Sequence, residues 1–278
     1  MLINIIFEGL ILFCLSAFFF NIYPNISRLI DINTKPQTVD VTQSSKPTGS
    51  GIIFPLLFLI FFTLNFQNFY TDINFYTFFI LSISCFCMAI LGFFDDIYSL
   101  SSNLKLFFQI AFVGLIAIFF INDLLNFDNF IDYLLLFIIF LSGVWLLNVF
   151  NFIDGADGLL AINSIIIAMA IGIYCFLENQ IFLTLALFNL VLILSAFLAF
   201  NWHPSKILMG DSGSLFLGSL FLILIFYLIS QQILNLTTIF IVFSLMIVET
   251  SCTLFVRIFR KENFLSGRHD LHAYQQLA

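Results

Sequence analysis

The sequence predicts an all-α fold, a polytopic bundle of about nine transmembrane helices that forms a single domain over residues 1–278. Hydrophobic residues make up 62% of the chain and charged residues 9%, whereas an ordinary soluble domain carries about 25% charged residues. A soluble fold could not bury so much apolar surface. A helix needs about 20 apolar residues to cross the core of a bilayer. Such stretches lie near residues 3–23, 52–69, 73–93, 104–121, 131–149, 159–177, 181–200, 213–230 and 234–256.

The basic residues predict which loops face the cytoplasm. All nine Lys and Arg residues lie in one alternate set of loops or at its membrane border, and the other set holds none. Loops rich in Lys and Arg stay on the cytoplasmic side, so we expect the N-terminus to lie outside. We also expect the first of these loops, 24–51, to be solvated, because it is rich in Thr, Ser, Pro and Lys. The basic set comprises residues 24–51, 94–103, 150–158, 201–212 and the tail from 257.

Four groups of polar residues interrupt the apolar pattern, and this topology places all four at the cytoplasmic face. Each has an ordinary structural explanation when taken alone, as a helix end, a helix cap or part of a solvated tail. Their convergence on one face favours a functional site, which we expect at the cytoplasmic face. The groups are Asp95-Asp96, the series Asn148, Asn151, Asp154 and Asp157, the run Gly210-Asp211-Ser212-Gly213-Ser214, and Arg268, His269 and His272 in the tail.

The carboxylates in these groups predict a bound divalent cation. Several carboxylates that converge at a membrane face would repel each other, and a cation would relieve that repulsion. Oxygen ligands suit Mg²⁺, so Mg²⁺ is the expected ion, with Mn²⁺ as an alternative.

The spacing within two of the groups adds detail. The series that begins at Asn148 repeats every three residues, which on a helix or helix-like turn puts the side chains on one side. The run that begins at Gly210 precedes a predicted helix, and the first N–H groups of a helix can bind phosphate. Asp211 could cap that helix or hold a metal ion that bridges to the phosphate.

These motifs together resemble those of the polyprenyl-phosphate N-acetylhexosamine-1-phosphate transferases (glycosyltransferase family 4), which include the peptidoglycan enzyme phospho-N-acetylmuramoyl-pentapeptide transferase. The resemblance runs from about Lys46 to the C-terminus. The tail is more similar to the subgroup that starts O-antigen or other surface-glycan synthesis. The resemblance depends on Asp95-Asp96, Asn151-x-x-Asp154-Gly-x-Asp157-Gly158, the run from Asn201-x-x-Pro204 to Gly210-Asp211-Ser212-Gly213-Ser214, and His269-x-x-His272-Ala-Tyr-Gln.

The resemblance implies a Mg²⁺-dependent, multi-pass enzyme of the bacterial inner membrane. It would transfer N-acetylhexosamine-1-phosphate from a UDP-N-acetylhexosamine to undecaprenyl phosphate, release UMP, and so initiate a lipid-linked surface glycan such as lipopolysaccharide O-antigen. Its partners would be these two substrates and the lipid bilayer, with a homodimer left open and no nucleic acid. Members usually have one more span after the histidine motif, and this domain is expected to lack it.

The resemblance also implies a role for each motif. Asp95 and Asp96 would handle the lipid phosphate, either as a base or by positioning it, while Asp154 and Asp157 would organise the nucleotide or the metal. These four are the predicted catalytic residues. The predicted metal ligands are Asp211 and Asn151, and the predicted substrate-binding residues are Lys46, Asn148, Asn151, Gly210, Ser212, Arg268, His269 and His272.

Two other functions stay open at this point. A transporter would place ionisable groups near the bilayer midplane, and only Glu8 and Glu249 lie well inside predicted spans. An inactive, truncated relative that serves as a scaffold is the second alternative. The sequence does not identify the sugar.

Overall fold

The computed structural model describes residues 2–30, 46–69, 75–121 and 129–259. Within these residues the chain forms α-helices, one short 3₁₀ helix at Ser50–Ile52 and no strand, so the all-α prediction is confirmed for them. The helices are α1 (Leu2–Ile30), α2 (Ile53–Phe69), α3 (Phe75–Tyr98), α4 (Ser102–Ile121), α5 (Phe130–Ile153), α6 (Leu159–Leu177), α7 (Ile181–Asn201), α8 (Gly210–Ser230) and α9 (Leu236–Phe259).

Six of the described helices are long and apolar enough to cross a membrane. Two further apolar stretches, Ser50–Thr63 and Leu236–Cys252, are shorter. The helices are those of a multi-pass membrane protein, whereas the count of nine spans and the outward N-terminus remain predictions. The six lie within Ile5–Ile30, Ser102–Phe120, Phe130–Ile153, Leu159–Leu177, Ile181–Asn201 and Gly210–Ser230.

Several helices extend past the predicted ends of the apolar spans, and α1 continues to Ile30, into the predicted loop 24–51. α3 continues to Tyr98, α5 continues to Ile153, and α8 begins at Gly210. The backbone hydrogen bonds of a helix do not depend on apolar side chains, so a helix continues after the apolar run has ended. As a result Asp96 and Asn151 lie on helices, where loops were expected.

The chain divides into two compact units, of which the first comprises Met1–Ser99 and Asp157–Phe216. Here α6 and α7 form a helical hairpin, and α1 and α2 pack against α7. Phe20, Phe54 and Phe197 meet edge to face, with ring centroids 5.1–5.7 Å apart. This is a favourable geometry for aromatic pairs, and it joins the three helices from which the rings come.

The segment 46–51 is packed against the chain that precedes α8. The Gly51 N–H donates to the Met209 carbonyl over 2.9 Å, and a Cβ on Gly51 would overlap the Cα of Gly213. The prediction of a solvated loop is therefore wrong for residues 49–51, which are buried. The physical reason is that glycine, which is frequent in solvated loops, also lets two backbones come into direct contact.

The second unit comprises Leu100–Ala156 and Leu217–Ala278. In its described part α5 packs against both α4 and α9. Phe150 stacks on Phe221 with ring centroids 5.5 Å apart, and Phe243 meets Phe221 edge to face at 6.0 Å. All three rings are fully buried or nearly so, so they form the core of this unit.

A glycine of α5 lies in the contact between α4 and α5. A Cβ built on Gly143 of α5 would lie 2.7 Å from Val113 Cγ1 of α4, whereas a Cβ on Gly114 of α4 would meet nothing nearer than Phe140 at 3.7 Å. The β-branched side chain of Val113 has little rotamer freedom on a helix. The two helices therefore depend on Gly143 for their separation.

We expect the free energy of unfolding of Gly143→Ala to be about 1–3 kcal/mol below that of Gly114→Ala, because the added methyl group overpacks the α4–α5 contact and both variants share the helix preference of alanine. Gly114→Ala is the matched control. It adds the same methyl group without a clash and should be neutral or stabilising, since Ala favours a helix over Gly by about 1 kcal/mol. Thermal unfolding of the purified protein in detergent measures both, and equal responses would contradict the prediction.

Candidate active site

The side chain of Asp96 caps the first turn of α8. Its Oδ1 accepts the N–H of Asp211 over 2.9 Å, and its Oδ2 accepts the N–H of Ser212 over 3.1 Å. A carboxylate at a helix N-terminus satisfies unpaired N–H groups and interacts favourably with the helix dipole. The N–H groups that the sequence predicts to face a phosphate are therefore donated to Asp96 in this structure.

The cap constrains its neighbours. Gly210 has a positive φ of 77°, which favours glycine, and a Cβ there would lie 2.7 Å from both carboxylate oxygens of Asp96. On α3, a Cβ on Gly92 would overlap the backbone carbonyl of Asp211. Ser212 is fully buried, and its hydroxyl donates to the Gly49 carbonyl over 3.3 Å. Gly210 and Ser212 thus shape the turn that carries Asp211.

Two carboxylates meet at this turn. Asp96 lies on α3 beyond the predicted span 73–93, and burial, followed by the negative charge of Asp211, raises its pKa from 3.8 to about 7. No three His, Cys, Asp or Glu side chains come together as a metal cage in the part of the chain that the structure describes. Mg²⁺, however, is usually bound through one or two carboxylates together with water and substrate phosphates. Asp211 supplies one such carboxylate, and the excess negative charge at this turn fits such an ion.

A tyrosine on α1 anchors the segment 46–51 from the side of the first helix. The hydroxyl of Tyr23 donates to the Thr48 carbonyl over 2.6 Å, and the side chain is 4% exposed. A Cβ on Gly49 would lie 3.2 Å from this hydroxyl and 3.2 Å from Asp96 Oδ2. Tyr23, the segment and the cap on α8 therefore form one packed group.

A second polar cluster surrounds Asp157. Its carboxylate accepts the Ser205 hydroxyl over 2.7 Å and the Ser205 N–H over 3.0 Å. Lys46 Nζ lies 3.6 Å from Asp157 Oδ2 and donates to the Ser205 hydroxyl over 2.9 Å. The exposed ring of His203 comes within 3.3 Å of the same carboxylate.

These contacts determine the charge state of Asp157. Burial alone would raise the pKa of the carboxyl, but the hydrogen bonds from Ser205, the charge of Lys46 and the contact with His203 outweigh burial and hold the pKa below its usual value. Asp157 is consequently ionised at neutral pH, and it partly neutralises Lys46, which the sequence predicts to face a phosphate.

Asn201 joins the two chain segments that lead into this cluster. Its Oδ1 accepts the N–H of Gly158 at the start of α6 over 2.9 Å, and its Nδ2 donates to the Ile207 carbonyl over 2.8 Å. The side chain is buried, and both ends of its amide are used. The loop after α7, which includes the cis His203–Pro204 peptide, is thereby tied to the beginning of α6.

The series with a spacing of three is divided by the end of α5. Asn148 and Asn151 lie on α5, Asp154 is its C-cap, and Asp157 lies outside the helix, in the turn before α6. The predicted series therefore does not lie on one helix, because α5 stops before reaching Asp157, which lies in the turn that follows. Asn148, Asn151 and Asp154 belong to the second unit and Asp157 to the first.

The remaining predicted residues fall into two groups. Asp95 precedes Asp96 on α3, so its side chain leaves the helix about 100° away from that of Asp96. The three predicted tail residues Arg268, His269 and His272 lie outside the described residues.

Sequence reasoning missed four residues that take part in this architecture. Each is a single polar side chain without a repeating pattern around it, and each bonds to a residue far away in the chain, so no local signal identifies it. A polar residue inside an apolar span was the one available clue for Gln109. The four are Tyr23, Gln109, His203 and Ser205.

Comparison with known proteins gives matches to transferases. A family model described as glycosyl transferase family 4 matches residues 78–230. The chain is 30% identical to a phospho-N-acetylmuramoyl-pentapeptide-transferase of Prochlorococcus marinus, with 79% of this chain and 66% of the relative covered. It is 35% identical to a probable undecaprenyl-phosphate N-acetylglucosaminyl 1-phosphate transferase of Bacillus subtilis, with 50% of this chain and 40% of the relative covered.

A third relative, a phospho-N-acetylmuramoyl-pentapeptide-transferase of Listeria innocua, is 33% identical, with 63% of this chain and 59% of the relative covered. The chain thus spans 40–66% of the length of these three relatives. The family match includes Asp95, Asp96, Asp157 and Asp211, whereas Tyr23 and the segment 46–51 precede it.

We expect Tyr23→Phe to lower the free energy of unfolding by about 1–2 kcal/mol, because it removes the donor to the Thr48 carbonyl and leaves that acceptor unpaired. Tyr98→Phe is the matched control, since Tyr98 is 69% exposed and its ring contact with Phe94 does not need the hydroxyl. Thermal unfolding in detergent compares the two variants. A Tyr23→Phe protein as stable as the control would contradict the assigned anchor.

We expect Asp157→Asn to lower the free energy of unfolding by about 1–2 kcal/mol at neutral pH, since hydrogen bonds to a charged group are worth about 1.5–3 kcal/mol and the partial exposure of Lys46 weakens the ionic part. A carboxylate with a lowered pKa stabilises the fold only while it is ionised, so the difference from the parent protein should be constant between about pH 5 and 8 and shrink below about pH 4. Unfolding temperatures across a pH series measure this, and a difference that grows on acidification would rule it out.

Proposed function

Because the chain belongs to glycosyl transferase family 4, we propose that it transfers N-acetylhexosamine-1-phosphate from a UDP-sugar to undecaprenyl phosphate. An oxygen of the lipid phosphate attacks the β-phosphorus of the UDP-sugar. The bond from that phosphorus to the bridging oxygen breaks, and UMP leaves with the electron pair. The product is a lipid-linked sugar diphosphate, the first intermediate of a surface glycan.

The observation that carries this proposal is the Asp96 cap on α8. It fixes the turn in which Asp211 stands, at the end of a helix long and apolar enough to cross a membrane. A carboxylate held at a membrane face is suited to a reaction between a water-soluble diphosphate and a membrane-bound phosphate. Phosphoryl transfer requires positioning and charge neutralisation more than a protein nucleophile.

In this proposal Asp211 holds the divalent cation, with Mg²⁺ expected and Mn²⁺ as the alternative. The ion would neutralise negative charge on the diphosphate when bound. Asn151, the second predicted ligand, lies near the end of α5. Asp96 acts by positioning, because both of its oxygens already accept N–H groups of the α8 turn. In the proposal Asp95 is the residue of the pair that handles the lipid phosphate.

The cluster around Asp157 supports a binding role for the segment that contains Lys46. In the proposal Lys46 and Asp157 bind the nucleotide. Asp154, three residues before Asp157 in the sequence, helps to organise the nucleotide or the metal. Asn151 and the tail residues Arg268, His269 and His272 complete the contacts to nucleotide and sugar phosphate. The reaction takes place at the cytoplasmic face of a bacterial inner membrane, and the glycan initiated is of the O-antigen or cell-wall type.

We expect membranes that contain the chain to convert radiolabelled UDP-N-acetylglucosamine and undecaprenyl phosphate into a lipid-soluble labelled product, dependent on added Mg²⁺ or Mn²⁺. Asp211→Asn should reduce this product by roughly a hundredfold or more, the scale on which removal of a charge-stabilising group acts. Asp132→Asn, which alters a carboxylate in the first turn of α5, is the matched control and should retain full activity.

Unchanged product formation by Asp211→Asn would exclude the metal role of Asp211. The assay can be repeated on the parent membranes with a panel of UDP-N-acetylhexosamines. If none of these sugars gives a lipid-linked product, the proposed reaction is excluded. The same panel identifies the sugar if product is formed.

A further inference from the structure

One amide pair lies between two helices of the second unit, within apolar stretches of both. Gln109 on α4 is 4% exposed, and its Oε1 accepts an N–H of Asn148 on α5 over 3.1 Å. Both helices are long and apolar enough to span a membrane. A polar group in such surroundings is costly to bury without a partner, so each side chain depends on the other.

The hydrogen-bonding capacity of Asn148 limits what it can do. An asparagine amide has two N–H donors. The Asn148 amide nitrogen donates to Gln109 and also to the Val144 carbonyl of its own helix over 2.8 Å. Both donors are therefore engaged within the protein, so the predicted contact of Asn148 with a substrate would use its amide oxygen.

The contacts between α4 and α5 show the register of the two helices and the place of the amide pair in it. Phe140 lies near Gly114, Val113 near Gly143, and Gln109 bonds to Asn148. Residue numbers rise on α5 as they fall on α4, so the two helices are antiparallel. The amide pair comes last in this series on α5, one turn before Asn151.

The next turn contains groups that the proposed reaction needs. Asn151 is followed one turn later by Asp154, the C-cap of α5. Any rotation or sliding of α5 against α4 would move these side chains, and such movement would break the hydrogen bond between the Gln109 and Asn148 amides.

We propose that Gln109 is a positioning residue, which acts through Asn148 to fix the rotation and register of the end of α5 that carries Asn151 and Asp154. The inference rests on the proposed function, because it assigns Asn151 and Asp154 to nucleotide and metal binding. Gln109 itself touches no substrate. A misplacement of binding groups by about 1 Å reduces enzymatic rates by up to a hundredfold, so a single interhelical bond is sufficient to matter.

The test uses the full chain in detergent or membranes, with four variants. Gln109→Leu and Asn148→Leu each leave one amide without its partner. The double Leu variant removes both amides, and the exchange variant Gln109→Asn/Asn148→Gln restores an amide pair with the same total number of side-chain atoms. Ser142→Ala is the control on α5, since the Ser142 hydroxyl is exposed and bonds within its own helix to the Ile138 carbonyl.

We expect each single Leu variant to reduce kcat/KM for the UDP-sugar roughly tenfold to a hundredfold, with KM for undecaprenyl phosphate unchanged. The double Leu variant should lose no more than either single one, because the two residues act as a unit. The exchange variant should recover most of the activity and of the unfolding temperature, and Ser142→Ala should match the parent protein.

Three results would overturn the inference. The first is an exchange variant as impaired as the single Leu variants. The second is independent, multiplying losses in the double Leu variant. The third is a Gln109→Leu protein with a lowered unfolding temperature and normal kcat/KM, which indicates a purely structural bond. If the parent protein forms no product, the proposed function fails, and the unfolding temperatures of the same four variants still decide whether the two amides act as a unit.

Discussion

The structure of the first unit depends on one carboxylate that closes the beginning of a helix. Asp96 accepts two backbone N–H groups of the first turn of α8, and this requires α3 to end directly against that turn. Glycine at 210 and at 92 follows from the same contact, because a Cβ at either position would collide with the carboxylate or with the capped backbone. The motif around Asp211 is thus as much a requirement of packing as of chemistry.

The two polar clusters of this unit share their supports. The segment 46–51 supplies Lys46 to Asp157 at one end and the backbone of Gly49 and Gly51 to the α8 turn at the other. The loop after α7 does the same from the opposite side, with Ser205 at Asp157 and Met209 at Gly51. The Lys46–Asp157 pair and the capped turn of α8 are therefore both held by the segment 46–51 and by the loop after α7. This shared support couples the turn that carries Asp211 to the cluster around Asp157.

Much of the fold followed from the sequence, because long apolar runs allow little except helices. The ends of the helices did not, since α3, α5 and α8 continue through polar residues that leave the backbone ladder intact. Glycine and serine in 46–51 suggested solvent exposure, whereas they serve backbone contact. For the site, the composition of the motifs drew attention to Asp96, Asp157 and Asp211. The residues that bond to Asp96 and through Ser205 to Asp157 are 48 to 116 positions away in the sequence. No local pattern reports contacts over such distances.

Asn201 has a consequence for the chemical durability of the protein. Its amide accepts a hydrogen bond at one end and donates one at the other, so the two ends are not equivalent. Deamidation would exchange the nitrogen for an oxygen and set it against the Ile207 carbonyl, with two acceptors facing each other in a buried place. Aspartate has nearly the same shape as asparagine, yet the position discriminates between them by a single atom. Deamidation of Asn201 would therefore weaken the connection between the beginning of α6 and the loop after α7.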